Sequence, residues 1–262
     1  MSHFTVAVFS RNPSYEAIAE LLAPYNECAE EEEFLEFKPK GTRETFEQEY
    51  RKYLQENPDK IGCYPDFESY MEQYHGYIYD EESDQYGYTH NPNAKWDWWQ
   101  IGGRWDGLLR LKTDHRYEGY IGDSLFPVYS SSTVRCDQAR LMDVDTSPDP
   151  EDYRHAVRFW EIIVEKMPLM EGEKEPWTFW KPEYYIQQYG NKESYARNQA
   201  AFSTYAFITP DGEWHETGTM GWWGIDNATA ESRASYISNF EKTLAELSND
   251  PEIYITIIDC HI

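Results

Sequence analysis

Asp259 and His261 stand two residues apart in EIYITIIDCHI (252–262), and His3 opens HFTVAVF (3–9). Both segments are rich in β-formers and the first alternates, so both read as strands. Residues two apart on a strand share a face, so Asp259 and His261 point the same way. If the two strands pair antiparallel, the start of one lies beside the end of the other, and His3, Asp259 and His261 converge. Two imidazoles and a carboxylate suit two chemistries: they can hold a divalent metal with open positions, or exchange protons as an acid–base group. These three residues are therefore the candidate catalytic residues and the candidate metal ligands, and a divalent metal is the one cofactor the pattern suggests. The plainer reading of the same residues is a solvated sheet edge. Cys260 points to the opposite face, which makes a nucleophile pair with its neighbour His261 geometrically poor.

The second chemical stretch is KWDWWQIGGRW (95–105), with four tryptophans, two glycines and an arginine. Gly102-Gly103 reads as the two-residue turn of a hairpin, with positive φ at both positions. Alternation then places Trp96, Trp98, Trp105 and Leu109 on one face, expected to be core. The other face carries Asp97, Trp99 and Arg104, expected to bind ligand: a guanidinium can fork onto a carboxylate or phosphate, or stack on a flat base. MGWWG (220–224) is similar in kind, two tryptophans framed by glycines, and adds Trp223 as a fourth ligand-binding candidate.

His3-Phe4-Thr5 and His215-Glu216-Thr217 both spell H-x-T. A pair of such motifs resembles the active site of 2H phosphoesterases. The second copy lacks the hydrophobic flanks of that pattern, with Glu216 and Gly218 in their places, and chance recurrence accounts for it. The acidic run Glu30–Glu33 lacks the spacing of a calcium loop. No phosphate-cradling glycine loop, nucleophile elbow or H-E-x-x-H helix is present.

The elements around these residues suggest what positions them. Asn12-Pro13 reads as a helix cap followed by proline, opening a short helix that Pro24 ends. Helices are expected at 42–57, about 150–167 and about 227–247, from apolar residues at helical spacing. TYAFI (204–208), a Pro-Asp-Gly turn and WHETG read as a second hairpin. WTFWKPEYYIQQYGN (177–191) reads as irregular. The fold class is α+β: a single elaborated domain over 1–262 with an antiparallel or mixed sheet, helices packed on the sheet, and the N- and C-terminal strands adjacent and antiparallel. An irregular insertion rich in Tyr and acids, carrying one short helix near 66–75, is expected at about 58–94.

Composition narrows the partners. Of the 262 residues, 48 are acidic and 23 basic, a net charge of -25. That field repels phosphates, so direct nucleic-acid binding is disfavoured and a basic host protein is one expected partner; the other, a small anionic ligand, rests on the His, Asp and Arg candidates and not on the charge. Aromatics make up 17% of the chain, which argues for a packed core and against disorder. The four cysteines are scattered, as free thiols in a reducing cytoplasm would be. No apolar run is long enough to span a membrane, and the start of the chain lacks the pattern of a signal peptide.

MSHFTV, LAPYNE (22–27), KWDWWQIGGRW, CDQARLMDVD (136–145), GEWHETGTMGWWG (212–224) and DCHI (259–262) together resemble a family of uncharacterised bacteriophage and bacterial proteins. The resemblance implies a phage or prophage context; with the cysteine usage and the lack of a signal-peptide pattern, the expected place is the cytoplasm of the bacterial host. It carries no activity, but it draws attention to His3, Glu27, Asp97, Arg104, Asp137, Asp143, Asp145, Asp259 and His261. The leading expectation is binding or hydrolysis of a small phosphorylated or nucleotide-like ligand, with metal assistance as one route, and Arg104 holding the anionic part. Two other readings are an acidic interaction module, such as a phage inhibitor of a host defence factor without catalysis, and a structural virion component. Whether the protein is an enzyme is left open by the sequence.

Overall fold

HFTVAVFS and YITIIDCH are dense in β-branched and aromatic residues, which fit a pleated surface buried on both sides. In the computed structural model they are β1 (His3–Ser10) and β11 (Tyr254–His261), paired antiparallel along their whole length. The structure describes residues 2–60, 62–112, 135–221 and 224–262. Residues 113–134, Trp222 and Trp223 lie outside them.

In chain order, β1 is followed by α1 (Tyr15–Leu22), β2 (Glu36–Thr42), α2 (Arg43–Glu56) and α3 (Phe67–Ser69). Then come β3 (Ile78–Asp80), β4 (Gln85–His90), β5 (Trp98–Ile101), β6 (Leu109–Arg110), β7 (Arg135–Cys136) and β8 (Gln138–Arg140). The last elements are α4 (Pro150–Ile163), α5 (Pro182–Tyr189), α6 (Lys192–Ala200), β9 (Ala206–Ile208), β10 (Trp214–Glu216), α7 (Ala230–Leu247) and β11. The fold is α+β, and its main sheet is mixed, in the order β10-β9-β1-β11-β5 with β8 also on β11. The parallel pair is β1 with β9.

The chain forms two compact units, Met1–Leu22 with Trp96–Ile262, and Ala23–Lys95. The second unit is larger than the insertion expected at about 58–94, and it is not irregular. Its strands β2, β4 and β3 form their own sheet. Beside them Phe46, Phe67, Tyr70, Met71 and Tyr86 form a buried cluster. Short strands rich in Tyr and Gly leave too few alternations to announce themselves.

In the first unit, Ala7 and Phe9 of β1, Ile255 and Ile257 of β11 and Phe207 of β9 are buried with Tyr236, Phe240 and Leu244 of α7. On the opposite face Val6 and Val8 are fully buried, and so are Ile18 and Leu22 of α1, which packs on β1. Three expectations change. Ser14, not Asn12, caps α1, its Oγ accepting the Ala17 N–H at 3.2 Å. Residues 182–189, expected to be irregular, are helical because Pro182 sits in the first turn and fixes the entry. The Gly102-Gly103 hairpin does not form: β5 pairs with β11, and β6 pairs with β7. Among the described residues no helix is long and apolar enough to cross a membrane.

Asp149 caps α4, accepting the N–H groups of Glu151 at 2.8 Å and Asp152 at 3.4 Å. Those donors, with Arg110 nearby, hold its carboxyl below the ordinary value. Asp149→Ala is expected to cost about 1 kcal/mol, seen as a lower Tm at neutral pH. Because the folded pKa is depressed, this stability is complete above the unfolded carboxylate value of about 3.9 and lost as pH falls through the folded one. The gap between wild type and variant should therefore close in acid. An unchanged Tm at neutral pH would refute the cap.

Candidate functional site

Register brings the chemical residues together. His3 lies opposite His261 and Thr5 opposite Asp259, while on the far side of β11 Trp98 lies opposite His261 and Gln100 opposite Asp259. Directly opposed residues share a face. All six thus belong to the face that α7 covers further along, where Ala7 and Ile257 are core. The buried cluster goes no further along these strands than those two residues, and the polar group occupies the end of the face.

Each imidazole has its own carboxylate. His3 Nδ1 is 2.8 Å from Asp259 Oδ1, and His261 Nδ1 is 2.6 Å from Asp97 Oδ1. A carboxylate can only accept, so Nδ1–H donates in both rings, and Nε2 is the nitrogen left for a ligand. The ring centroids are 5.0 Å apart and the planes 74° apart. Both histidines are largely covered yet reach the surface, with side chains 17% and 15% exposed.

The supporting groups explain the tight sequence around Gly102. Asp259 is fully buried, and its second oxygen accepts the Arg104 backbone N–H at 3.1 Å. Gly102 and Gly103 adopt φ of +71° and +59°, as the sequence suggests, but they lead into a short 3-10 turn (Gly103–Trp105) rather than a hairpin. A Cβ on Gly103 would run into Asp259, and one on Gly102 into Asp137. The turn wraps two buried carboxylates, and only glycine permits both the approach and the backbone conformation. The backbone N–H of Asp97 donates to His261 O at 3.0 Å, which sets Asp97 beside the ring it serves.

The remaining candidates are sorted by this frame. Trp98, expected in the core, is 46% exposed, with its ring 6.4 Å from that of His3. The reason is that the core face ends before reaching it. Trp99, expected at the ligand, is turned to the opposite face and stacks on Tyr15 at 4.9 Å. Trp96 is buried, its Nε1 donating to Leu22 O at 3.2 Å, and Trp105 packs against the core. Arg104 is exposed on the same turn. Trp223 lies outside the described residues, but Gly221 and Gly224 on either side of its pair are tied to Ser2. Ser2 Oγ donates to Gly221 O at 3.2 Å and accepts the Gly224 N–H at 2.7 Å, one residue from His3.

His3, Asp259 and His261 do meet, but as a hydrogen-bonded cluster and not as the ligand set expected. Among the described residues no group of three or more His, Cys, Asp or Glu is placed to hold a metal. The 2H arrangement is not built either. His215 stacks on Phe207 and lines a groove between β10 and α7, while Thr5 Oγ1 accepts the Tyr205 N–H at 3.0 Å. Cys260 is buried on the opposite face with its thiol pushed well above the ordinary value by desolvation.

Asp137 supports the turn through Gly107 N–H, and Asp145 pairs with Arg110 at 3.0 Å. Asp143 is buried and Glu27 is exposed in the second unit. Comparison with family models, with curated proteins and with solved structures gives no match. The geometry stands alone. Sequence reasoning missed Gln100, which shares the face of Asp259, and missed that Asp97 belongs to His261. The first was legible, since Trp98 and Gln100 alternate; the second needed the pairing of β5 with β11.

Proposed function

We propose that the end of the β1–β11 face is an acid–base site that hydrolyses a small phosphorylated, nucleotide-like ligand. One observation carries the reading: two imidazoles lie edge to face with centroids 5.0 Å apart, each oriented by its own carboxylate. With one ring neutral and the other protonated, the neutral Nε2 takes a proton from water as its oxygen attacks phosphorus. The protonated ring gives its proton to the leaving oxygen, which departs as an alcohol. Asp259 and Asp97 hold the rings and stabilise whichever one is charged. Arg104 is exposed on the adjoining turn, as a group that holds the phosphate must be. Trp98, exposed beside His3, is the ring on which a base would stack.

A small ligand fits the charge better than a long nucleic acid does, because a net charge of -25 repels every further phosphate. The phage context implied by the sequence resemblance would put this reaction in the cytoplasm of an infected bacterium. The test is a panel of nucleotides, dinucleotides and chromogenic phosphoesters, read by hydrolysis and by thermal shift, with and without divalent metals. The expected result is turnover of at least one phosphoester and stabilisation by it. A panel that is neither bound nor cleaved would sink the reading.

A further inference from the structure

Two strands share the outer edge of β11. β5 pairs with residues 258–261 and β8 with residues 254–256, which leaves Ile257 at the break between them. Ile257 closes the break with its backbone. Its N–H donates to Asp137 O at 2.8 Å, and its O accepts the Gly102 N–H at 2.9 Å. Asp137, just ahead of β8, and Gly102, just past β5, are thereby brought side by side. The Asp137 side chain is fully buried between the two strands. Its Oδ1 accepts the Gly107 N–H at 2.5 Å, and its Oδ2 lies against Gly102, where a Cβ would stand.

A carboxylate taken out of water is costly unless hydrogen bonds offset the loss, and bonds to an ionised acceptor are the strong ones. Here one carboxylate fixes both ends of the 102–107 turn, Gly102 by contact and Gly107 by its hydrogen bond. Between those ends the turn carries half of the histidine site. The Arg104 N–H donates to Asp259 Oδ2 at 3.1 Å, and Asp259 Oδ1 is 2.8 Å from His3 Nδ1. The Arg104 side chain, assigned above to the phosphate, leaves from the same residue. His261 is held in another way, by Asp97 ahead of β5, whose own N–H donates to His261 O. Neither of those contacts passes through the turn.

We infer that Asp137 is a positioning residue for the His3 half of the acid–base site. By fixing the turn it sets the height of the Arg104 backbone over the sheet. That height orients Asp259, and Asp259 sets the tautomer and direction of the His3 ring. The influence of Asp137 stops short of His261. Its consequence for catalysis rests on the acid–base reading, whereas the positioning itself is testable without a substrate.

The probe is the imidazole. In the full chain labelled with ¹⁵N-histidine, proton–nitrogen correlation spectra separate the two nitrogens of each ring, and the His3→Asn and His261→Asn spectra identify two of the 7 histidines. In the neutral wild-type rings both should carry the proton on Nδ1, where Asp259 and Asp97 accept it. Asp137→Ala should lose that preference in His3 and keep it in His261. Asp137→Asn retains an oxygen for the Gly107 N–H and should restore the wild-type spectrum. On a phosphoester that the wild type cleaves, kcat should fall at least about tenfold in Asp137→Ala and recover in Asp137→Asn. Unchanged tautomers in Asp137→Ala would overturn the inference. An equal change in both rings would do the same, by showing a general loosening. The wild type supplies a check that does not depend on how a variant folds: the Gly107 and Arg104 N–H should both exchange slowly with solvent, and fast exchange at Gly107 would also overturn the inference. Absence of turnover on every phosphoester would remove the hydrolytic reading alone, and the spectra would still decide for or against Asp137.

Discussion

His261→Asn is expected to lower kcat on any phosphoester the protein cleaves by about 10²–10⁴, with little change in Tm. Asparagine can still donate from its amide to Asp97, so the 2.6 Å contact has a replacement and the strand end keeps its partner. What disappears is Nε2, the nitrogen that carries the proton. His3→Asn should behave alike against Asp259, at 2.8 Å in the wild type. If the two rings work as acid and base in one step, the double variant should be little worse than either single one, because either loss breaks the relay. Full activity in either variant would remove the acid–base reading, whereas a collapse in Tm would show that the rings are mainly structural.

Gly103→Ala should have the largest effect on stability and should carry the site with it. The residue sits at φ +59°, where a side chain costs about 1–2 kcal/mol. Its new methyl would also meet the buried Asp259 carboxylate, and overpacking of that kind typically costs about 1–3 kcal/mol. A loss of about 2–4 kcal/mol is expected, or roughly 5–15 °C in Tm for a unit of this size. Asp259 can yield only by leaving the Arg104 N–H and His3 Nδ1, so binding at the site should weaken in parallel. A variant with wild-type Tm would show that the turn relaxes freely. Gly76→Ala is a useful control, because it too has positive φ but nothing within 4 Å of the added carbon.

The strands that build the site were legible because their composition and alternation are strong and long. His3 opposite His261 follows from nothing more than two such strands lying antiparallel. The hairpin at Gly102 failed for an instructive reason. Two glycines with positive φ are what a tight turn needs, and both have it, but the pattern cannot say what the turn surrounds. Here it surrounds carboxylates supplied by residues 137 and 259, far away in sequence. Trp98 and Trp99 were exchanged because alternation separates two faces without saying where a face stops being covered. The second unit, from Ala23 to Lys95, was read too short because β2, broken by Pro39 and Gly41 where its register shifts, offers no clean alternation that would tie it to the later strands.

His3 and Asp259 are 256 positions apart, and the hydrogen bond between them closes a strand pair made from the two extremes of this sequence. β1 is therefore made long before β11, with which it pairs along its whole length. Until β11 is made, the edge of β1 that it covers is open, and the histidine site lacks Asp259, His261 and the strand against which Trp98 and Gln100 are placed. Such distant closure is slow. The site is thus assembled late: a chain that stops before residue 259 keeps His3 but has neither its carboxylate nor the facing ring.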